Sequence, residues 1–447
     1  MARLYIECSY LVDHNFLNTG IQRVVRKVIE NMQEIALKNG YELHLVSLRD
    51  GYAKEVTLHA LYPPENNNDR LLRVFVSKLK KYIKQIYYRV KLFVSSLLPW
   101  KPFQQFMLAP KNRFGLNMIL YNIYRPLKLM IKKKNTKKVR GDEERFLMPV
   151  DKEDILLILD SSWYMNIWKS VDKFKEKGGT VFLVVYDLIP IKHPEFCDDF
   201  LVGEFKKWID DSLLRVDGYI AISQTVAEDV KEFQKSKGVL IPNECYEYFY
   251  LGADFSEKRS GYIRDKLKNI FDERETYISV STLEPRKNHA YLLDAFEILW
   301  KKGIDINLLF IGRQGWKVEE LMQRIVTHPM KNKKLFYFDD ISDVELNYAY
   351  SRAKALLFAS KAEGFGLPII EGLVKGLPVF ASDTKIHREV GGENVNYFDL
   401  SNPYSLVKML ENSQYKKTSN INSWLSWKES TEMLMDKIIK LSQTCCK

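Results

Sequence analysis

The sequence predicts an α/β protein of two doubly wound, Rossmann-like domains facing across a cleft, and two observations carry that prediction. Short β-branched runs alternate with longer stretches of helical period, the pattern of parallel strands joined by crossover helices. The alternation comes in two series, and the second begins after Leu240-Ile241-Pro242-Asn243 and Tyr250-Leu251-Gly252-Ala253-Asp254, so the join lies near 243–256. At 447 residues the chain is long enough for two or three domains with large cores.

In order along the first series, strand-like runs fall at 4–8, 42–48, 155–160, 180–186 and 218–222. A helix starts near Gly20, because Arg23, Val24, Val25, Val28, Ile29 and Met32 recur at helical spacing. The second series has runs at 277–282, 306–312, 334–338, 355–358 and 378–382 with helices between them, and 424–441 is again helical in pattern. These give a first domain over 1–245, a second over 246–420, and a closing helix within 421–447. Ligands of such sheets bind beyond the C-terminal strand ends, so the cleft between the domains is the expected site.

Composition is that of a globular protein, with 46% hydrophobic and 28% charged residues. No apolar run reaches the roughly 18 residues that span a bilayer. The opening Met1-Ala2-Arg3-Leu4-Tyr5-Ile6-Glu7-Cys8 reads as a strand rather than a leader, which makes the cytoplasm the expected location. Five cysteines without metal-ligand spacing are expected as reduced thiols, and no metal is expected.

The net charge of +11 comes from one segment. Residues 70–140 hold 19 Lys and Arg and no acid, leaving 49 basic against 57 acidic residues elsewhere. Bases there interleave with Leu, Phe and Ile, the makeup of an amphipathic insertion lying on an anionic membrane. A solvated helical insertion and a nucleic-acid surface are the other readings, and the abundance of large apolar side chains favours lipid.

Three strand ends carry chemistry. In Glu363-Gly364-Phe365-Gly366-Leu367-Pro368-Ile369-Ile370-Glu371 two acids straddle a glycine turn that enters a helix. Backbone there can approach a ligand closely, the helix N-terminus favours a diphosphate, and Glu371, placed about two turns into the helix, reaches the ligand's other end. Such an arrangement suits a nucleotide sugar. In Thr282-Leu283-Glu284-Pro285-Arg286-Lys287-Asn288 the two cations can neutralise a departing diphosphate. Gly312-Arg313-Gln314-Gly315-Trp316 adds glycines for close approach and an aromatic for base stacking. A solvated strand–turn–helix corner is the bland alternative for each.

Taken together and in this order, the three motifs resemble the family 4 retaining glycosyltransferases of the GT-B fold, among them the bacterial mannosyltransferases that build O-antigen and related polysaccharides. The resemblance is strong over 240–410. It is thinner over Asn18-Thr19-Gly20-Ile21-Gln22-Arg23-Val24-Val25-Arg26 and from Tyr186 to Glu195, and it leaves out the basic segment. It implies that Arg286 and Lys287 hold the donor diphosphate and that Glu371 binds the nucleotide ribose. It further implies that Glu363 serves the donor sugar, which the backbone of Gly364, Phe365, Gly366 and Leu367 orients. Gly312 belongs to the donor side and Gly20 borders the cleft. The family often has His where this chain has Tyr186, so the first domain's contact with the reacting centre falls to Asp187 or His193.

The function so implied is retaining, metal-independent transfer of a hexose without a cofactor, with mannose from GDP-mannose the leading donor. The acceptor is a saccharide, lipid-linked if the basic segment meets the inner face of the cytoplasmic membrane, with nucleic acid the less favoured partner. The chain has no Asp-x-Asp pair to bridge a metal to a diphosphate, which leaves that charge to Arg286 and Lys287. An epimerase of sugar nucleotides and a non-catalytic binding protein with a vestigial site are the competing classes.

Overall fold

A computed structural model describes residues 1–16, 20–62, 148–239, 242–253, 261–412 and 424–445. The expected basic insertion at 70–140 and the Asn18-Thr19 pair of the thinner motif lie outside these residues.

Two sheets organise the fold. The first has the order β3-β2-β1-β4-β5-β6-β7, made from Tyr52–Glu55, Tyr41–Arg49, Ala2–Glu7, Ile155–Ile158, Thr180–Val185, Gly218–Ala221 and Tyr246–Tyr248 respectively. Its pairs are parallel except β2 with β3. The second, all parallel, has the order β10-β9-β8-β11-β12-β13, from Leu335–Phe338, Asn307–Ile311, Thr276–Val280, Ala355–Phe358, Val379–Ser382 and Asn396–Phe398. Helices cover both faces, so β4, β6, β9, β11 and β12 are buried at every residue and read as unbroken apolar runs.

Ten strands lie where the sequence places them, within two residues at each end. The others, β3, β7 and β13, have three or four residues each, too few to show a period of two. Because β7 pairs with β6, the first sheet continues through Tyr248, past the boundary expected at 245.

The closing helix, Trp427–Thr444, begins at a Ser426–Glu429 capping box and packs against the Gly20–Lys38 helix and β7 of the first domain. Leu434, Met435, Ile438 and Leu441 are its fully buried stripe. Lys437 pairs with Glu247 at 2.9 Å and the Ser430 hydroxyl donates to the Tyr250 carbonyl at 2.6 Å. This contact also corrects the expectation of reduced thiols. Packing the helix end against Tyr246–Tyr248 brings Cys445 to Cys245 across 200 residues, and the two form a disulfide with a Cα separation of 5.7 Å. Cys8 and Cys197 are free and buried. Among the described residues no helix is long and apolar enough to cross a membrane.

Candidate active site

The motif residues converge where the C-terminal strand ends of the two sheets meet. Beyond β8 a single 3₁₀ turn, Pro285–Lys287, presents the two cations, and Asn288 in the left-handed region (φ 55°) turns the chain into the His289–Lys301 helix. Beyond β11 the chain reaches Glu363. Arg286 donates to the Glu363 carboxylate at 2.7 Å and to the Ala362 carbonyl at 3.0 Å, while Lys287 grips the other Glu363 oxygen. Glu284 accepts from the Arg286 Nε at 3.0 Å, a role the sequence reading does not assign although Glu284 stands inside the quoted motif.

Charge in this cluster is strongly biased. Burial works to raise the Glu363 carboxyl, but Arg286 and Lys287 overcome it and hold the group at about 2. Burial and the neighbouring Arg286 pull the Lys287 ammonium down, with Glu363 opposing them. Both pKa values of this ion pair are thus lowered, which favours the charged form of Glu363 and disfavours that of Lys287. The Glu363 side is the firmer, because its carboxylate takes two cationic contacts whereas Lys287 has one carboxylate and an adjacent guanidinium. A second anion beside Lys287 relieves that imbalance, which is the electrostatic opening for a phosphate.

The glycines have separate jobs. Gly366, at φ 97°, caps the Leu367–Val374 helix. A Cβ on Gly364 would lie 1.9 Å from the Tyr186 carbonyl oxygen, so only glycine lets this loop rest on the end of β5. The Ser223 hydroxyl of the first domain donates to the Gly364 carbonyl at 2.8 Å and fixes the approach. At Gly312 the backbone passes close to the neighbouring loop: a Cβ there would meet the Ser281 carbonyl at 1.8 Å. Phe365 is buried in a cluster with Tyr250 and Trp424, and Leu367 is the first residue of the helix.

Glu371 is the fifth residue of that helix, about one turn in rather than two, because the helix starts only after Gly366. It is buried, and it accepts from the Tyr350 hydroxyl at 2.8 Å and from Arg23 of the first domain at 2.5 Å. Arg23 appears in the sequence in a helical stripe and in the thinner motif, and neither pattern pairs it with Glu371. Gly20 heads the same helix, with open space around its Cα. On the far side, Glu389 accepts from the backbone N–H groups of Gln224 (2.6 Å) and Thr225 (2.8 Å), placing a carboxylate at the N-terminus of the Gln224–Ser236 helix.

Asp187 joins the cluster and His193 does not. Burial raises the Asp187 carboxyl, with Arg286 opposing, and one of its oxygens caps the Ile189 N–H at 3.0 Å. His193 instead ends the short Ile189–Lys192 helix, is 41% exposed at the side chain, and sits with Glu195 and Phe196. Tyr186, in the position where the family often has His, turns its hydroxyl inward to the Leu159 carbonyl at 2.7 Å. Trp316 also departs from expectation: its indole N–H is fixed on the Phe196 carbonyl at 2.6 Å, so the ring lies against the first domain and lines a cavity there. That cavity, of about 140 Å³, has Asp187, Arg286 and the buried Asp160 in its wall.

Asp160 and Glu7 form a second buried group at the ends of β4 and β1. Burial and Asp160 raise Glu7 to about 7; burial lifts Asp160 to about 6 against hydrogen bonds from Leu11 and Ser161. Among the described residues no cluster of His, Cys, Asp and Glu is arranged to hold a metal.

Residues 263–412, which carry all three motifs, match the model of the family described as glycosyl transferases group 1. Over these residues the chain resembles the group 1 glycosyl transferases, and its fold is GT-B. It is 35% identical over 303 residues to the serotype-specific mannosyltransferase WbdA of Escherichia coli, covering 64% of this chain and 37% of that one. It is 27% identical over 235 residues to the O-antigen chain mannosyltransferase RfbU of Salmonella typhimurium, covering 51% of this chain and 60% of RfbU. The chain described here therefore spans little more than a third of WbdA's length. Its fold matches the Anabaena protein HepE in complex with UDP-glucose, with a TM-score of 0.52 at 11% identity over 99% of this chain and 98% of that one.

Proposed function

We propose that this transferase moves a hexose from a nucleotide sugar to a saccharide acceptor with retention, in the assembly of a surface polysaccharide. The observation that carries the reading is the pairing of Arg286 and Lys287 with Glu363, within electrostatic reach of Asp187. On donor binding the diphosphate takes a place beside the two cations, and Glu371 receives the ribose hydroxyls in exchange for Arg23. The bond from the sugar C1 to the phosphate oxygen breaks as the acceptor oxygen bonds to C1 on the same face. The acceptor proton passes to the leaving phosphate. Such a step needs stabilisation of the departing charge more than a strong protein base, and Arg286 and Lys287 supply it without a metal.

Mannose from GDP-mannose is the donor we favour, since the WbdA and RfbU relatives are mannosyltransferases. Replacing Arg286 or Lys287 with Ala is expected to lower kcat/KM by roughly 10²-fold or more, the scale of a lost charge-stabilising donor. Thermal melting and circular dichroism check that the fold survives. Unchanged turnover in a folded variant would sink the assignment of the diphosphate site.

The acceptor we favour is lipid-linked, held near an anionic membrane by the basic segment 70–140. Co-sedimentation of the full chain with phosphatidylserine vesicles should weaken as salt rises and disappear on deletion of 70–140. Equal binding by the deleted chain would discard the membrane role.

A further inference from the structure

Both oxygens of the buried Glu371 carboxylate are engaged, one by the Tyr350 hydroxyl at 2.8 Å and the other by the Arg23 guanidinium at 2.5 Å. The two donors are held differently. Tyr350 is 1% exposed and stands on the Asp343–Arg352 helix of the same domain. Arg23 stands on the Gly20–Lys38 helix of the first domain and reaches Glu371 across the cleft, the side from which a ligand also comes. Its side chain is 30% exposed against 5% for Glu371, so a displaced guanidinium meets water while the carboxylate does not. Polar neighbours on this helix turn to their own domain instead: Gln22 donates to the Ser161 hydroxyl at 2.9 Å and Arg26 to the Leu61 carbonyl at 3.0 Å. Other contacts also join the domains, among them Ser223 with Gly364, Thr225 with Glu389 and Trp316 with the Phe196 carbonyl. The Arg23 contact can therefore open while these ties hold.

We infer that Arg23 is an internal competitor for the nucleotide: it fills the ribose seat at Glu371, is displaced by the ribose diol, and returns to help the spent nucleoside diphosphate leave. The inference rests on the ribose reading of Glu371 given above. A carboxylate this deeply buried is costly to leave with one partner fewer, so Arg23 yields only to a group that donates in its place. A vicinal diol does so with two O–H groups directed at one carboxylate. A nucleotide without the diol leaves the ion pair intact and binds through its phosphates alone. Competition of this kind weakens the seat for donor and product by the same factor, because both carry the same ribose. It favours turnover wherever release of the product is the slow step.

The test is calorimetric titration of the full chain with GDP, UDP and their 2′,3′-dideoxy analogues. Wild type is compared with Arg23→Ala, Glu371→Gln and the double variant, each checked for folding by thermal melting. Arg23→Met, which keeps the stem and drops the charge, serves the same purpose if Arg23→Ala fails to fold. Loss of the Arg23 charge should tighten the better-bound of GDP and UDP by roughly tenfold or more, about 1.4 kcal/mol, and leave its dideoxy analogue within about twofold of wild type. In the Glu371→Gln background the same loss should give no tightening, since the two residues act through one contact. Binding of the diphosphate no tighter than in wild type, equal tightening of the dideoxy analogue, or tightening that persists without Glu371 would each overturn the inference. Glu371→Gln separates this from the reading beneath it. If that variant weakens only the ribonucleotide while Arg23→Ala changes nothing, the ribose seat stands and the competition falls. If it weakens both ligands alike, or if none of these proteins binds either nucleotide, the ribose reading falls and the inference with it.

Discussion

Gly364→Ala is the substitution whose effect can be worked most fully from the structure. The added Cβ would sit 1.9 Å from the Tyr186 carbonyl oxygen and 3.1 Å from the Asp187 Cβ. Non-bonded carbon does not approach closer than 3.0 Å, so the loop and the end of β5 must part by at least about 1.1 Å. Both obstacles are close to rigid, one being backbone and the other the first carbon of a side chain. Glu363 immediately precedes the loop, so the displacement draws its carboxylate away from Asp187 and disturbs the contacts with Arg286 and Lys287. It also strains the Ser223–Gly364 hydrogen bond. A misplacement of about 1 Å costs roughly 10²-fold in rate, or about 2.7 kcal/mol of barrier. Initial rates of sugar transfer over a range of donor concentrations give kcat/KM, and thermal melting gives the fold. Gly203→Ala, on the Asp199–Ser212 helix with open space at its Cβ, is the control and should leave transfer unchanged while stabilising the helix by about 0.5–1 kcal/mol. If Gly364→Ala transfers as well as wild type, the two domains do not meet at this loop during the reaction, and the opposition of Glu363 to Asp187 is wrong.

Two further outcomes follow from the same cluster and its neighbour. Glu371→Gln should weaken binding of nucleoside diphosphates by roughly tenfold, measured by calorimetry, and should scarcely affect 2′,3′-dideoxy analogues, which lack the diol; an equal loss for both would remove Glu371 from the ribose. The Glu7 carboxyl, raised to about 7 in the folded chain, contributes stability that is fully present below its ordinary pKa of 4.5 and is lost as pH rises through 7. Glu7→Gln, which removes the carboxyl that burial and Asp160 raise, should therefore flatten the fall in urea midpoint as pH rises above 4.5. A variant with the same slope as wild type would show that Glu7 does not titrate there.

Much of this fold is legible because parallel strands buried on both faces must be apolar throughout. Runs such as Leu-Leu-Phe-Ile before Gly312 and Leu-Leu-Phe before Ala359 mark strand ends directly. The donor-side cluster is legible for a related reason: Arg286, Lys287, Glu363 and Glu371 each stand within a short motif at a strand end or helix start, where local chemistry and ligand chemistry coincide. The rest depends on contacts that sequence distance hides. Arg23 meets Glu371 across 348 positions, Glu389 meets Thr225 across 164, and Cys245 meets Cys445 across 200. No local pattern pairs these residues with one another. The motif places Trp316 with the nucleotide base, but its indole N–H is bound to Phe196, 120 positions away, which turns the ring to the first domain. His193 follows a buried strand, which makes it a candidate in the sequence; the Pro190-containing turn that precedes it carries the ring out to Glu195.

The central claim is retaining transfer from a nucleotide sugar bound at Arg286 and Lys287. It is tested most directly by incubating the full chain with GDP-mannose and a polyprenyl-diphosphate-linked saccharide and reading the product by mass spectrometry and by the anomeric coupling in its NMR spectrum. The expected product is a saccharide longer by one hexose with the donor's α configuration, formed by wild type and lost on Lys287→Ala. An inverted anomeric centre, or the same product from the Lys287→Ala variant, would contradict it.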